Sequence, residues 1–431
     1  MKIAVVGMGK IGLPLAVQYA KKGNSVIGID INPKTVELIN KGLEPFPEEA
    51  HLKEYLADVV DKGLLEATLD YADGIKDADV VVVVVPLFVN DKAEPEFSAM
   101  DQATALIGSN LKKGSLICYE TTLPIGTTRT RFVPSLEKQS GLKAGVDFNV
   151  VFSPERVFTG RIFEDLRKYP KIVGGITQEC TIKGVSFYTQ VLDFDIREDL
   201  TKPNGVWAVK STESAEFVKL AETTYRDVNI ALANQFAIYA ESIGIDIYEV
   251  ISGANSQKFS HIHQPGISVG GHCIPVYPQL YLYNDHEASI VKISRSVNAN
   301  MPSRVVTQIE DEIGNLKGKH ILIIGLSYRS EVKEIAFSGA LDIQKELYNR
   351  GALISVYDYL YSTEEIRDLG FEDFRIATHE PEIIILHTLH SKMMDEVKAL
   401  VVKCQYLYDG RNYLKNFENY SRNKTTLGIG K

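Results

Sequence analysis

The sequence predicts an α/β fold with a parallel-sheet domain at each end and a long helix between them, and three patterns predict it. Apolar β-branched runs alternate with helical patterns over roughly the first 175 residues, as a parallel sheet covered by helices requires. No proline occurs between Pro203 and Pro265, a stretch that carries an apolar stripe at helical spacing. After Pro302 the strand and helix alternation resumes.

At 431 residues the chain exceeds one ordinary core, so two or three domains are expected, here drawn at 1–200, 201–302 and 303–431. In the first, strands are predicted at 3–6, 26–29, 80–85, 116–119 and 149–152. The run from Val80 to Val85 is all valine and stops at Pro86. It is far short of the ~20 residues of a membrane-spanning helix and reads as a strand buried on both faces. In the middle segment Val218, Ala221, Tyr225, Val228, Leu232, Phe236, Tyr239 and Ile243 recur at steps of three and four, one face of a helix that Gly244 would stop. The last segment predicts strands at 320–324, 353–357 and 382–386, with a helix near 341–348.

Bulk composition narrows the function. With 45% hydrophobic and 24% charged residues the chain reads as a soluble globular protein, and a net charge of -9 argues against nucleic-acid or anionic-membrane partners. Cys118, Cys180, Cys273 and Cys404 form no CxxC pair, so neither a disulfide framework nor a thiolate zinc site is expected. Met1-Lys2-Ile3 runs straight into a strand without a leader pattern, which reads as cytoplasmic.

Gly7-Met8-Gly9-Lys10-Ile11-Gly12 fits GxGxxG between a predicted strand and an apolar helix, the fingerprint of a Rossmann dinucleotide site. Gly7 permits the turn, Gly9 lets backbone approach a pyrophosphate and Gly12 allows close helix packing, with the helix N-terminus facing the phosphates. Asp30 closes the second strand, where a carboxylate receives a ribose and repels a 2′-phosphate, favouring NAD over NADP. FAD uses the same fingerprint, but nothing else in the chain argues for a flavin. The C-terminal segment echoes this with Gly325 and Asp358 around a single glycine. That suits a mononucleotide or phosphate better than a dinucleotide, with a purely structural domain as the alternative.

Gly270-Gly271-His272-Cys273 places a cysteine after a diglycine. A thiolate there is a competent nucleophile beside a cation or helix N-terminus, whereas a free cysteine is otherwise commonly an inert core residue. His261, His263 and His272 match no zinc spacing, so no metal is expected.

These residues carry a resemblance to the UDP-glucose/GDP-mannose dehydrogenase family, closest to the branch oxidising UDP-N-acetylhexosamines such as UDP-N-acetylmannosamine. The motifs are Gly7 to Gly12, Thr121-Thr122-Leu123-Pro124-Ile125-Gly126-Thr127, Ser153-Pro154-Glu155-Arg156, Ala215-Glu216-Phe217-Val218-Lys219-Leu220, Gly270 to Pro275, Gly325-Leu326-Ser327-Tyr328-Arg329 and Asp409-Gly410-Arg411. The resemblance implies an N-terminal NAD-binding Rossmann domain, a central long-helix dimerisation domain carrying Lys219 and Cys273, and a C-terminal Rossmann-like domain that binds the nucleotide-sugar. It implies an NAD-dependent four-electron oxidation of the sugar's 6-hydroxymethyl group. Lys219, with an ordered water, takes the hydroxyl proton and then stabilises the oxyanion; Cys273 forms a thiohemiacetal and then a thioester; Glu155 handles the hydrolytic water and Thr122 positions it. Lys10, Ile11, Pro86 and Thr122 would join Gly7, Gly9, Gly12 and Asp30 around NAD. Glu155, Lys219, Thr223, Phe259, Gly270, Gly271, Arg329 and Arg411 would meet the UDP-sugar, the arginines as guanidinium forks on the diphosphate or base. Without the motif context, Glu155 and Lys219 would read as surface ion-pair partners and Thr122 as a turn cap.

The chain departs from the family at several positions. Tyr277 stands where an aspartate is usual, and Thr223 where an asparagine is usual. Residues 251–275 contain no arginine, so Lys258 or the histidines would stand in for one. Ala336, Phe337 and Gly339 replace arginine, glutamate and proline. Three alternatives follow: UDP-glucose as substrate, a two-electron dehydrogenase that stops at an aldehyde or ketone, and a nucleotide-sugar sensor retaining NAD as a structural ligand.

Overall fold

The structure, a computed structural model, describes residues 1–46, 49–90, 92–377, 380–416 and 425–431. It divides into two compact units, Met1–Glu222 with Gln279–Asn284, and Thr223–Pro278 with Asp285–Lys431.

In the first unit, short β-branched runs give strands β1 (Lys2–Val6), β2 (Ser25–Ile29), β3 (Leu65–Thr68) and β4 (Val80–Val83). A two-residue hairpin follows, β5 (Phe88–Val89) with β6 (Pro95–Glu96), then β7 (Leu116–Tyr119), β8 (Asn149–Phe152), β9 (Lys171–Gly175) and β10 (Val206–Val209). The sheet order is β10-β9-β8-β7-β4-β1-β2-β3. The order in which strands are added reverses between β1 and β4, which run parallel; this is the crevice where doubly wound sheets bind ligands. All residues of β4, β7 and β8 are buried, as strands covered on both faces must be.

Two details differ from the sequence expectation. β4 ends at Val83, two residues before the valine run does. Beyond it, the Val84 amide still donates to the Val6 carbonyl at 2.8 Å, whereas the Val85 carbonyl accepts from Thr121 Oγ1 at 2.6 Å, so the run leaves the ladder at Val85. Also, β9 enters antiparallel to β8. Apolar runs encode burial, and direction depends on how the connection returns.

The predicted long helix spans Thr212–Ile243, 32 residues, and stops as expected at Gly244, whose φ is +69°. Its inward face is the opposite of the apolar stripe. Buried positions are Thr212, Ala215, Glu216, Lys219, Leu220, Thr223, Asp227, Ala231, Ala233, Asn234, Ala237 and Ala240, whereas Tyr225, Leu232, Phe236, Tyr239 and Ile243 are exposed. Periodicity identifies a face, but which face turns inward depends on what it packs against.

The second unit holds β11 (His320–Ile324), β12 (Leu353–Tyr357), β13 (Glu372–Asp373), β14 (Ile383–Leu386), β15 (Tyr406–Asp409) and β16 (Thr425–Gly428). All pair in parallel, in the order β13-β12-β11-β14-β15-β16. Pro302 lies inside the helix Ser289–Ile313, whose Met301, Val305, Val306 and Ile309 pack into the core of this unit. Among the described residues no helix is long and apolar enough to cross a membrane.

Candidate active site

The glycine turn is built for close approach. Gly7, at φ +93°, lies so near the Val84 backbone that a Cβ would stand 3.0 Å from its carbonyl, and a Cβ on Gly12 would meet the Gly7 oxygen at 1.8 Å. These two glycines are therefore required by packing. A Cβ on Gly9 would meet nothing within 4 Å, so its exposed backbone is open to a ligand, and Lys10 and Ile11 follow, half-buried, before the helix Gly12–Lys21. Asp30 accepts from the Met8 amide at 2.8 Å with one oxygen and from the Asn32 amide at 2.8 Å with the other. The residues fit the pyrophosphate and ribose of NAD.

Along the same edge of the sheet, Pro86 is exposed at the end of β4 and Thr122 is buried after β7. The threonine loop is tied to the long helix by Glu216, which accepts from the Gly126 amide at 2.5 Å and the Thr128 amide at 2.9 Å. Burial pushes the Glu216 carboxyl up to about 7 even though both amides oppose it. Lys219, 7% exposed, follows one turn later, on the inward side.

Glu155 leaves β8 through Ser153, whose hydroxyl donates to the Ile172 carbonyl at 2.7 Å. Its carboxylate accepts from Lys171 Nζ at 2.7 Å and the Arg156 amide at 3.0 Å. Glu155 is thus an ion-pair partner, but its side chain is only 11% exposed; neither it nor Lys219 is the surface charge that composition suggests. Burial alone would raise the Glu155 carboxyl, but Lys171 and neighbouring donors outweigh it and hold it below the ordinary range.

In the second unit, Asn298 and Arg295 on the helix Ser289–Ile313 donate to Asp227 at 2.8 and 2.6 Å, and Asn234 accepts from the Gly266 amide at 2.9 Å. The long helix, buried here at Thr223, therefore anchors the start of the cysteine loop. The loop then lies on the segment after β11. Cβ atoms on Gly270 and Gly271 would stand 2.6 and 2.8 Å from the Tyr328 side chain, and the Gly271 amide donates to the Ala336 carbonyl at 2.8 Å. The diglycine serves this docking, which composition did not reveal. Cys273 emerges exposed, whereas Cys118, Cys180 and Cys404 are buried. Beside it, His272 Nε2 faces Glu334 at 3.2 Å.

Arg411 donates to the Ser268 carbonyl at 3.3 Å and sits 3.6 Å from where a Gly266 Cβ would be. It is half-buried, as is Arg329 beside the Tyr328 ring. Phe259 stands apart at 83% exposed. Gly339, a departure from the family's proline, has a local reason: a Cβ there would meet Ser268 Oγ at 2.1 Å. Sequence reading missed Glu120, Lys171 and Glu216, because a lone charge carries no periodic signal and only tertiary packing shows which charges are buried.

Comparison with known proteins aligns with this organisation. Three descriptions of the UDP-glucose/GDP-mannose dehydrogenase family match in order: the NAD binding domain over residues 1–192, the central domain over 213–300 and the UDP binding domain over 322–416. The UDP-N-acetyl-D-mannosamine dehydrogenase of Pyrococcus horikoshii is 33% identical over 426 residues, covering 96% of each chain. The UDP-N-acetyl-D-glucosamine 6-dehydrogenase of Pseudomonas aeruginosa is 31% identical, covering 95% of this chain and 96% of its own. The solved structure of the Pyrococcus horikoshii UDP-D-ManNAc dehydrogenase superposes with a TM-score of 0.89 at 29% identity, covering 100% of this chain and 99% of that one.

Proposed function

The chain belongs to the UDP-glucose/GDP-mannose dehydrogenase family and is an NAD-dependent nucleotide-sugar dehydrogenase, and we propose that it oxidises C6 of a UDP-N-acetylhexosamine through four electrons to the carboxylate. The observation that carries this reading is the burial of Lys219 and of the Glu155 side chain together with the exposure of the Cys273 thiol. Two charges withdrawn from water suit proton handling, and a cysteine left accessible suits a covalent intermediate.

NAD, when bound at the glycine turn, supplies the hydride acceptor for both oxidations. Lys219 removes the hydroxyl proton with an ordered water and then offers its ammonium to the oxyanion. Cys273 attacks the resulting aldehyde carbon, and the adduct is a thiohemiacetal whose oxidation yields a thioester. Glu155 takes a proton from the water that cleaves the thioester, releasing the acid and restoring the thiol, with Thr122 orienting that water. Arg329 and Arg411 pair with the diphosphate or base of UDP. The relatives' substrates favour UDP-ManNAc first and UDP-GlcNAc next, with UDP-glucose as the competing substrate.

A purified enzyme given a panel of UDP- and GDP-sugars is expected to release two NADH per sugar from a UDP-N-acetylhexosamine. Cys273→Ser is expected to bind substrate and form no carboxylate; normal acid production by that variant overturns the thioester route. One NADH per sugar would favour the two-electron alternative, which Tyr277 and Thr223 motivate. The exposed stripe of Tyr225, Leu232, Phe236 and Tyr239 supports a homodimer through the long helix. A sedimenting monomer at micromolar concentration would refute it.

A further inference from the structure

The buried neighbours of Glu155 have no role in the chemistry described so far. Lys171, 4% exposed in its side chain, donates from Nζ at 2.7 Å to Glu155 Oε2 and at 2.7 Å to Glu120 Oε2, whose side chain is 0% exposed. Glu120 Oε1 accepts from Tyr188 at 2.7 Å and Tyr19 at 3.2 Å. Glu120 follows directly on β7, Lys171 starts β9, and the two phenols come from the helices Gln178–Val191 and Gly12–Lys21, so four elements converge on the Glu120 carboxylate.

We propose that Lys171 and Glu120 are positioning residues for Glu155: the ammonium aims and ionises the Glu155 carboxylate, while Glu120 holds the exchangeable proton of the cluster. One ammonium cannot neutralise two buried carboxylates, and an uncompensated buried charge is costly. The proton therefore resides on one of them. Glu120 is the more deeply buried, and its carboxyl is raised first by burial and then, against Lys171, by the Glu155 charge. A protonated Glu120 donates to Glu155 and still offers Oε1 to both phenols. Other titratable groups around the cluster are the buried Cys118 thiol, which burial and Glu120 keep neutral, Arg156, whose Nε pairs with Glu222 at 2.7 Å, Tyr169, and Asp165, which pairs with Arg161 at 3.2 Å. Held this way, Glu155 is a base ready at neutral pH.

This inference rests on Glu155 acting in thioester hydrolysis, and the test separates the two ideas. In the enzyme turning over its UDP-sugar, Lys171→Met is expected to keep the first hydride transfer and the KM for NAD. Its overall kcat falls at least about tenfold, acyl-enzyme accumulates by intact-mass analysis, and the acidic limb of the kcat profile rises by about one pH unit or more. Lys171→Arg is expected to restore the limb. Glu120→Gln, nearly isosteric, is expected to fold, keep the acidic limb and lose the inflection nearer neutrality that Glu120 ionisation causes. An unmoved limb in Lys171→Met without acyl-enzyme, or an unchanged profile in Glu120→Gln, overturns the proposal. Glu155→Gln is the control: if it hydrolyses the thioester normally, the underlying reading fails, whereas a stalled Glu155→Gln beside a normal Lys171→Met defeats only this inference.

Discussion

In both sheets the glycine after the first strand donates to the carbonyl that ends the second, Gly7 to Ile29 at 2.8 Å and Gly325 to Tyr357 at 2.9 Å. The next amide then donates to the following aspartate, Met8 to Asp30 at 2.8 Å and Leu326 to Asp358 at 2.8 Å. From there the turns diverge. At the first, Gly9 is exposed and Asp30 half-buried. At the second, Ser327 is buried and bonded to the Tyr361 hydroxyl at 3.1 Å, while Asp358 is fully buried and also engages the Ser327 amide and His390. The shared topology makes two crevices, but only the first leaves backbone free for a dinucleotide phosphate. Fold alone does not assign the ligand.

That contrast can be broken experimentally. The largest effect is expected from Gly325→Ala, where a Cβ would lie 1.9 Å from the Thr388 carbonyl at φ +89°; unfolding in urea should show a loss of about 3 kcal/mol or more. Asp358→Asn should come next, about 2–4 kcal/mol by the same measurement, because it breaks a buried charged network. Asp30→Asn should cost little stability yet erode the preference for NAD over NADP, read as the ratio of kcat/KM values. Gly9→Ala should change stability by no more than about 0.5 kcal/mol while weakening NAD binding in titration calorimetry. Equal stability losses at Gly9 and Gly325 would erase the distinction between the two turns.

A subtler test uses Glu216, whose folded carboxyl is raised to about 7. Because the folded value exceeds the unfolded one, the neutral form is favoured in the fold: its contribution is full below about 4.5 and is lost as pH rises to about 7, up to about 3 kcal/mol. Glu216→Gln should flatten that part of the stability profile in thermal unfolding, and an unchanged slope would show that Glu216 is not the titrating group. The variant should also loosen the threonine loop, since an amide offers one acceptor to two donors.

Much of this molecule was legible before folding. Strands 116–119, 149–152, 320–324 and 353–357 coincide with β7, β8, β11 and β12, because short β-branched runs between breakers have few alternatives. The Gly7 to Gly12 turn was equally plain, since Gly7 and Gly12 answer packing demands and Gly9 leaves its backbone open. The valine run overshot because Val85 is as apolar as its neighbours, yet its carbonyl accepts from Thr121 and not from a strand. The stop of the long helix at Gly244 was read correctly, but much of its apolar stripe proved outward, while a mixed row of small and polar residues turned inward.

By itself the sequence determined the element order, the dinucleotide turn and a set of motifs whose members are local in the chain. Tertiary structure alone decided that Lys171 joins Glu120 to Glu155 from positions 51 and 16 residues away, and that Gly270 and Gly271 make room for Tyr328. The physical reason is that periodicity and turn chemistry act between neighbours, whereas the ionisation of a carboxylate depends on the dielectric and charges around it, which exist only once distant strands have met.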